Sequence, residues 1–172
     1  MPDMRRRSAL AALAVIAAGL MFSGAALAQA STAPNGGLPY NTTFAFINSQ
    51  TNYCLYSTTD IHTGVCDSAN ASDQWQLKFN SQGNGSYVWI TNNATGDCLD
   101  TYKSNPSVLY IGYCNGDDGG AQWHVLAGTR GGDANMFQNN ETGYVVDSNQ
   151  AGDAYGHVGN GGTWQNWFVV NA

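Results

Sequence analysis

TFAFINSQTNYCLY (Thr43 to Tyr56), YVWITNNATGDCLD (Tyr87 to Asp100) and ANMFQNNETGYVVD (Ala134 to Asp147) can be laid on one another without a gap. Each is followed, about twenty residues later, by a tryptophan in a glutamine-rich setting: Gln74-Trp75-Gln76, Gln122-Trp123 and Trp164-Gln165-Asn166-Trp167. From Trp75 to Trp123 to Trp167 the period is 48 and then 44 residues. Self-similarity at such a period marks one supersecondary unit stacked on copies of itself. Three copies and no more suit a closed object with threefold pseudosymmetry.

Within each copy the apolar residues alternate over short runs: Phe44-Ala45-Phe46-Ile47, Val88-Trp89-Ile90 and Tyr144-Val145-Val146. Turn residues interrupt them every eight to twelve positions, the pattern of an all-β barrel or sandwich. The copies also share Thr51-Asn52, Thr95-Gly96 and Thr142-Gly143. Asn and Gly tolerate a left-handed backbone, so a hairpin turn with positive φ is expected in every copy. Four strands per copy give twelve, and the fold class is all-β: a β-trefoil, a six-stranded barrel capped by three hairpins. Trp75, Trp123 and Trp167 recur at one slot with alternating neighbours and are expected in the core. Trp89 and Trp164 break the threefold pattern.

The first thirty residues stand apart. Arg5, Arg6 and Arg7 form a positive n-region, Ala9 to Phe22 is an apolar run, and Ala26-Leu27-Ala28 or Ala28-Gln29-Ala30 offers a cleavage site. Residues 1–30 therefore read as a secretory signal peptide, with the second cleavage site favoured and a run too short to span a bilayer. Residues 31–42 are expected to be a flexible N-terminal segment and 43–172 one domain, with lobes at about 43–86, 87–133 and 134–172. The expected location is outside the cytoplasm, extracellular or periplasmic.

Without residues 1–30, Lys78, Lys103 and Arg130 stand against eleven acidic residues, a net charge of −8. So acidic a chain has no electrostatic footprint for nucleic acid or an anionic membrane surface. All four cysteines lie in the exported part, where disulfides are expected. The repeats select one of three connectivities: Cys54 and Cys98 share a slot, as do Cys66 and Cys114, so Cys54–Cys66 and Cys98–Cys114 give lobes one and two a local clasp. Each is worth roughly 3 kcal/mol if unstrained. Lobe three has Val145 and Gly159 at these slots.

A second pattern appears around the later cysteine slot. Four residues before it stand His62, Tyr110 and Tyr155; one residue after it stand Asp67, Asn115 and Asn160; and the early slot is followed two residues on by Tyr56, Asp100 and Asp147. Lobes two and three thus each hold Asp, Tyr and Asn in matching order. An ionised Asp accepts charge-assisted hydrogen bonds from adjacent hydroxyls, an Asn amide donates and accepts, and a tyrosine face covers the apolar side of a pyranose. That is a chemistry for neutral sugar, weak at each site, roughly millimolar, and strengthened by repetition. Asp147 is expected to be exposed. In the copy of lobe one Tyr56, His62 and Asp67 replace the set, and its site is expected to be weak or lost.

From about Thr43 to Val170 the chain resembles the ricin-type β-trefoil lectins, whose hallmark is a repeated Gln-x-Trp. Gln165-Asn166-Trp167 keeps it in full, Gln74-Trp75 and Gln122-Trp123 in abbreviated form. Glu141 to Trp167 is especially similar to the repeat of a small bacterial lectin for high-mannose glycans. The resemblance implies carbohydrate binding, with mannose-type glycans as candidate ligands, by Asp147, Tyr155 and Asn160 and by Asp100, Tyr110 and Asn115. Lobe two carries a three-residue insertion partly within Tyr102 to Ser107.

Catalysis has little support. There is no GxSxG, HExxH or phosphate-cradling loop, and His62, His124 and His157 lack metal-ligand spacing. A glycosidase needs two neighbouring carboxylates, whereas Asp100 and Asp147 belong to different lobes. The expectation is a secreted glycan- or polysaccharide-binding protein that is not an enzyme, with no cofactor, metal, nucleic acid or membrane insertion. The alternative is a protein-interaction trefoil, such as a secreted protease inhibitor or a toxin binding subunit.

Overall fold

The computed structural model describes residues 35–80, 87–130 and 133–172; residues 1–30, expected to be a secretory signal peptide, lie outside them. Lobe one contributes β1 (Thr43–Asn48), β2 (Cys54–Ser57), β3 (Ile61–Gly64) and β4 (Trp75–Phe79). Lobe two contributes β5 (Val88–Asn92), β6 (Cys98–Tyr102), β7 (Asn105–Gly112) and β8 (Trp123–Ala127). Lobe three contributes β9 (Ala134–Asn139), β10 (Val145–Ser148), β11 (Ala154–His157) and β12 (Trp167–Asn171). A short 3₁₀ turn precedes the last strand of each lobe, at Ala71–Asp73, Gly119–Ala121 and Thr163–Gln165. Among the described residues no helix is long and apolar enough to cross a membrane.

The first and last strands of the lobes close a ring. β1 pairs with β4, β4 with β5, β5 with β8, β8 with β9, β9 with β12 and β12 with β1, all antiparallel. The remaining strands form three hairpins, β2–β3, β6–β7 and β10–β11. This six-stranded barrel with three capping hairpins is a β-trefoil. In β1 every second residue faces inward, so Phe44 and Phe46 are buried. They meet Leu77, Ile90, Val125 and Phe137 in the barrel, and the Phe46 and Phe137 rings lie 4.5 Å apart.

Trp75, Trp123 and Trp167 are buried at equivalent places. Each indole N–H donates to a hairpin carbonyl of its own lobe, at Leu55 (2.8 Å), Leu99 (2.8 Å) and Val146 (3.1 Å). A buried indole N–H usually finds such a partner, and here the bond fixes each hairpin to the barrel one residue before the Tyr56, Asp100 or Asp147 slot.

Three buried asparagines close the ring from lobe to lobe. Asn48 Nδ2 donates to Trp164 O (2.7 Å), Asn92 Nδ2 to Ser72 O (2.8 Å) and Asn139 Nδ2 to Gly120 O (2.7 Å). Each thereby reaches the 3₁₀ turn of the lobe before it in cyclic order. Their Oδ1 atoms accept the N–H groups of their own tight turns, from Gln50, Ala94 and Glu141. Those turns then pass through positive φ at Asn52 (60°), Gly96 (78°) and Gly143 (70°).

The cysteines pair as Cys54–Cys66 and Cys98–Cys114. Residues 35–42, expected to be part of a flexible lead-in, are instead packed. Leu38 and Tyr40 lie against the core, Tyr40 meets Phe79 edge-on at 5.7 Å, and Asn35 is buried with its Nδ2 on Leu38 O. Two apolar side chains anchor this segment across the barrel.

Asn139→Ala removes both ends of one lobe-to-lobe tie. It is expected to cost about 3 kcal/mol in urea denaturation, from several lost hydrogen bonds and buried groups left unpaired. Asn93→Ala, at the exposed residue that follows the equivalent Asn92, is expected to cost about 0.5 kcal/mol; equal losses would show that the tie does not hold the ring.

Candidate functional site

The three hairpins place the slots found in the sequence directly opposite one another. Tyr56 pairs with His62, Asp100 with Tyr110 and Asp147 with Tyr155. The lobe-two insertion leaves this register intact, because a bulge between Thr101 and Tyr102 absorbs it. The third slot turns the chain out of each hairpin. Asp67, Asn115 and Asn160 each accept, through Oδ1, the N–H two residues on, from Ala69, Asp117 and Gly162. Such side-chain turns are the common local role of Asp and Asn. In lobe three this leaves the Asn160 amide Nδ2 without a hydrogen-bond partner among the described residues.

In lobe three these side chains share an open hollow of about 320 Å³. Asp147, Tyr155, Asn160, Ser148, His157 and Trp164 are among its lining. Asp147 was expected to be exposed, and here the structure corrects the sequence reading: it is 5% exposed and forms part of the wall. Its Oδ1 accepts the Ser148 N–H at 2.7 Å and its Oδ2 accepts the buried Gln165 Nε2 at 2.9 Å. Gln165 also donates to Val158 O (3.0 Å) and accepts the Asn160 N–H (2.8 Å). One carboxamide therefore positions both the carboxylate and the asparagine. His157 Nδ1 lies 3.8 Å from Asp147 Oδ2 and 3.0 Å from Val158 O. Burial first, then the charges of Asp147 and Asp153, raises the Tyr155 phenol above its ordinary value and keeps it protonated.

Lobe two has the same residue types in a closed arrangement. Ala121 stands where lobe three has Gln165, so the amide donor is missing. Asp100 is 2% exposed; its Oδ1 accepts the Thr101 N–H at 2.7 Å, and the Tyr110 hydroxyl is hydrogen-bonded to the carboxyl. The carboxylate lies tight on Gly112, where a Cβ would come within 2.6 Å of Oδ2. Tyr102 stacks on Tyr110 with ring centroids 4.2 Å apart and planes 15° from parallel, covering one face of the ring. Asn115 is exposed beyond the hairpin.

In lobe one the Tyr56 ring lies over Gly64 and 5.7 Å from the His62 ring. Asp73 fills the Gln165 slot and accepts the Asp67 N–H at 2.9 Å, reproducing the turn but with no amide donor. Gln74 and Gln122, one residue nearer their tryptophans than Gln165, turn to the carbonyls of Ser68 and Gly116.

Sequence reading missed four participants. Trp164 and Tyr102 lie at slots where the copies differ, and the break in symmetry was itself the available signal. His157 takes the position of Gly64 and Gly112 in the other hairpins. Gln165 was visible only as part of the Gln-x-Trp motif, with no sign of its bond to Asp147.

No family model and no curated protein matches the chain. Solved structures do. The BEL β-trefoil is 13% identical, with a TM-score of 0.70 over 83% of this chain and 100% of its own. SeviL bound to asialo-GM1 saccharide is 11% identical, with a TM-score of 0.63 over 76% of this chain and 98% of its own. A GlcNAcα1-4Gal-releasing endo-β-galactosidase from Clostridium perfringens is 18% identical, with a TM-score of 0.64 over 77% of this chain. This chain spans only 33% of that enzyme's length. At such identities the similarity establishes the β-trefoil fold.

Burial, and next the charge of Asp118, pushes the Asp100 carboxyl up to about 6, against the opposing pull of the Thr101 N–H and the Tyr110 hydroxyl. The unfolded chain loses this proton near the ordinary value of about 3.9. Between the two values the folded state holds more protons, so this contribution to stability is complete in acid and is lost as pH rises through about 6. Asp100→Asn is expected to match the parent near pH 4 and to exceed it by about 2 kcal/mol above pH 7 in urea denaturation. A variant equally stable or weaker at both pH values would contradict a strained carboxylate.

Proposed function

We propose that the protein is a secreted carbohydrate-binding lectin that holds a neutral sugar in the lobe-three hollow. The observation that carries this reading is a fixed carboxylate, Asp147, sharing an open concavity with the Tyr155 and Trp164 rings and the Asn160 amide. A pyranose has a hydroxyl edge and an apolar face. The Asp147 carboxylate accepts from the hydroxyl edge, Asn160 Nδ2 donates to it, and the aromatic rings cover the apolar face.

Charge favours a neutral ligand, because the chain without residues 1–30 is strongly acidic and Asp147 lines the hollow. Asp147 is the only carboxylate among the lining residues, so the pair needed for glycoside hydrolysis is absent from the described hollow. Export is supported by the basic, apolar and small-residue order of residues 1–30 and by the two disulfides. The similarity of Glu141 to Trp167 to the repeat of actinohivin, a lectin for high-mannose glycans, makes mannose-type glycans the first sugars to test.

On this reading lobe three is the open site, while lobe two is closed by its own Tyr102 and lobe one has lost the carboxylate. A glycan array on the protein lacking residues 1–30 tests it. Trp164→Ala and Asp147→Asn are each expected to reduce binding at least tenfold with the fold retained by circular dichroism. An unchanged array profile in both variants would refute the lobe-three assignment.

Tyr102→Asn installs in lobe two the residue that lobe three has at the matching slot, Asn149. It is expected to raise the stoichiometry in calorimetric titration from one sugar toward two. A count that stays at one would show that Tyr102 is not what closes lobe two.

A further inference from the structure

The outward face of the barrel carries a second feature, remote from the sugar hollow in its lining residues. Three positions before the buried asparagines Asn48, Asn92 and Asn139 stand Ala45, Trp89 and Met136. Each occupies the first strand of its lobe and faces a last-strand residue across the ladder: Val170, Lys78 and Leu126 respectively. The ladder position is shared by the three places, while the side chains on both strands differ, from Ala45 and Val170 to Trp89 and Lys78.

In lobe two this slot holds an indole pressed into the wall. Trp89 is half-buried, and its Nε1 is fully buried with no hydrogen-bond partner among the described residues. A buried indole N–H without a partner carries a desolvation cost, which the packing of the ring must outweigh. In lobe one the same slot holds a methyl group, and a hollow of about 190 Å³ opens there. Its lining includes Ala45, Ile47, the Cys54–Cys66 disulfide and Val170, with Asp67 and Asp73 among its polar lining.

We infer that this lobe-one hollow binds one small planar aromatic molecule of the indole class, seated where lobe two seats its own Trp89. The volume is below the roughly 300–1,000 Å³ of sites for drug-sized ligands, which limits the guest to a single ring system. Aliphatic walls and disulfide sulfur suit an aromatic face and edge. The exposed Asp67 carboxylate at the mouth favours a guest bearing an ammonium group and opposes one bearing a carboxylate. None of these residues lines the lobe-three hollow, so the inference stands apart from the lectin reading.

Saturation-transfer NMR on the protein lacking residues 1–30, with indole, tryptamine and indole-3-acetate as probes, tests the inference. Saturable binding is expected for indole, tighter for tryptamine and weaker for indole-3-acetate, with dissociation constants on the order of millimolar. Ala45→Trp rebuilds the lobe-two arrangement and is expected to weaken indole binding at least tenfold. Val170→Trp fills the hollow from the opposite strand and provides the same test should Ala45→Trp fail to fold. Trp89→Ala is expected to create a second indole site in lobe two. No saturable binding by roughly ten-millimolar probe, or binding that neither filling variant weakens, would overturn the inference. The glycan-array profile of the filling variants is expected to be unchanged, which separates failure of this site from failure of the sugar site.

Discussion

A single buried carboxamide, used three times, governs how the chain closes on itself. Asn48, Asn92 and Asn139 each hold a tight turn with one end and the 3₁₀ turn of the preceding lobe with the other. A barrel made from three similar pieces must be told where one piece ends and the next begins, since the apolar interior gives little directional information. Hydrogen bonds from a buried amide do give it, because any other register would leave the amide and its carbonyl partners desolvated and unpaired. The recurring tryptophans complete the frame by hooking each hairpin to the barrel.

With closure settled by the asparagines and tryptophans, the hairpin faces are free to differ. The result is three versions of one scaffold. In lobe three Gln165 aligns the carboxylate and the asparagine, and the Tyr155 ring faces an open hollow. In lobe two the loss of that glutamine to Ala121 leaves Asp100 held by Thr101 and Tyr110, while Tyr102 occupies one face of the ring. In lobe one a tyrosine replaces the carboxylate. Two side chains separate the hollows: the Gln165 donor on Asp147 in lobe three and the Tyr102 ring on Tyr110 in lobe two.

The barrel, the strand count, the positive-φ turns and the cysteine pairs were legible in the sequence because each follows from local pattern multiplied by three. The recurrence of Asp, Tyr and Asn at matched slots of lobes two and three was legible for the same reason, whereas the facing of Asp100 with Tyr110 and of Asp147 with Tyr155 across a hairpin came from the structure. The burial of Asp147 was not legible either. It depends on Gln165, eighteen positions away, and a turn-rich acidic residue reads as solvated when its long-range partner is unknown. The packing of Leu38 and Tyr40 was hidden too, since isolated apolar residues among Pro, Gly and Asn show no period. Trp164, Tyr102 and His157 were visible only as departures from symmetry, and a departure names a position without saying what it does.

The uneven placement of the two cystines has its own consequence. Lobes one and two are each cross-linked, whereas lobe three holds its hairpin with Val145, the Gln165 amide and the Trp167 indole. Chemical reduction would therefore relax the two lobes whose surfaces are altered or filled and leave the wall around Asp147 with all its own fastenings. Tolerance of a changing redox environment is concentrated in the lobe that carries the open hollow.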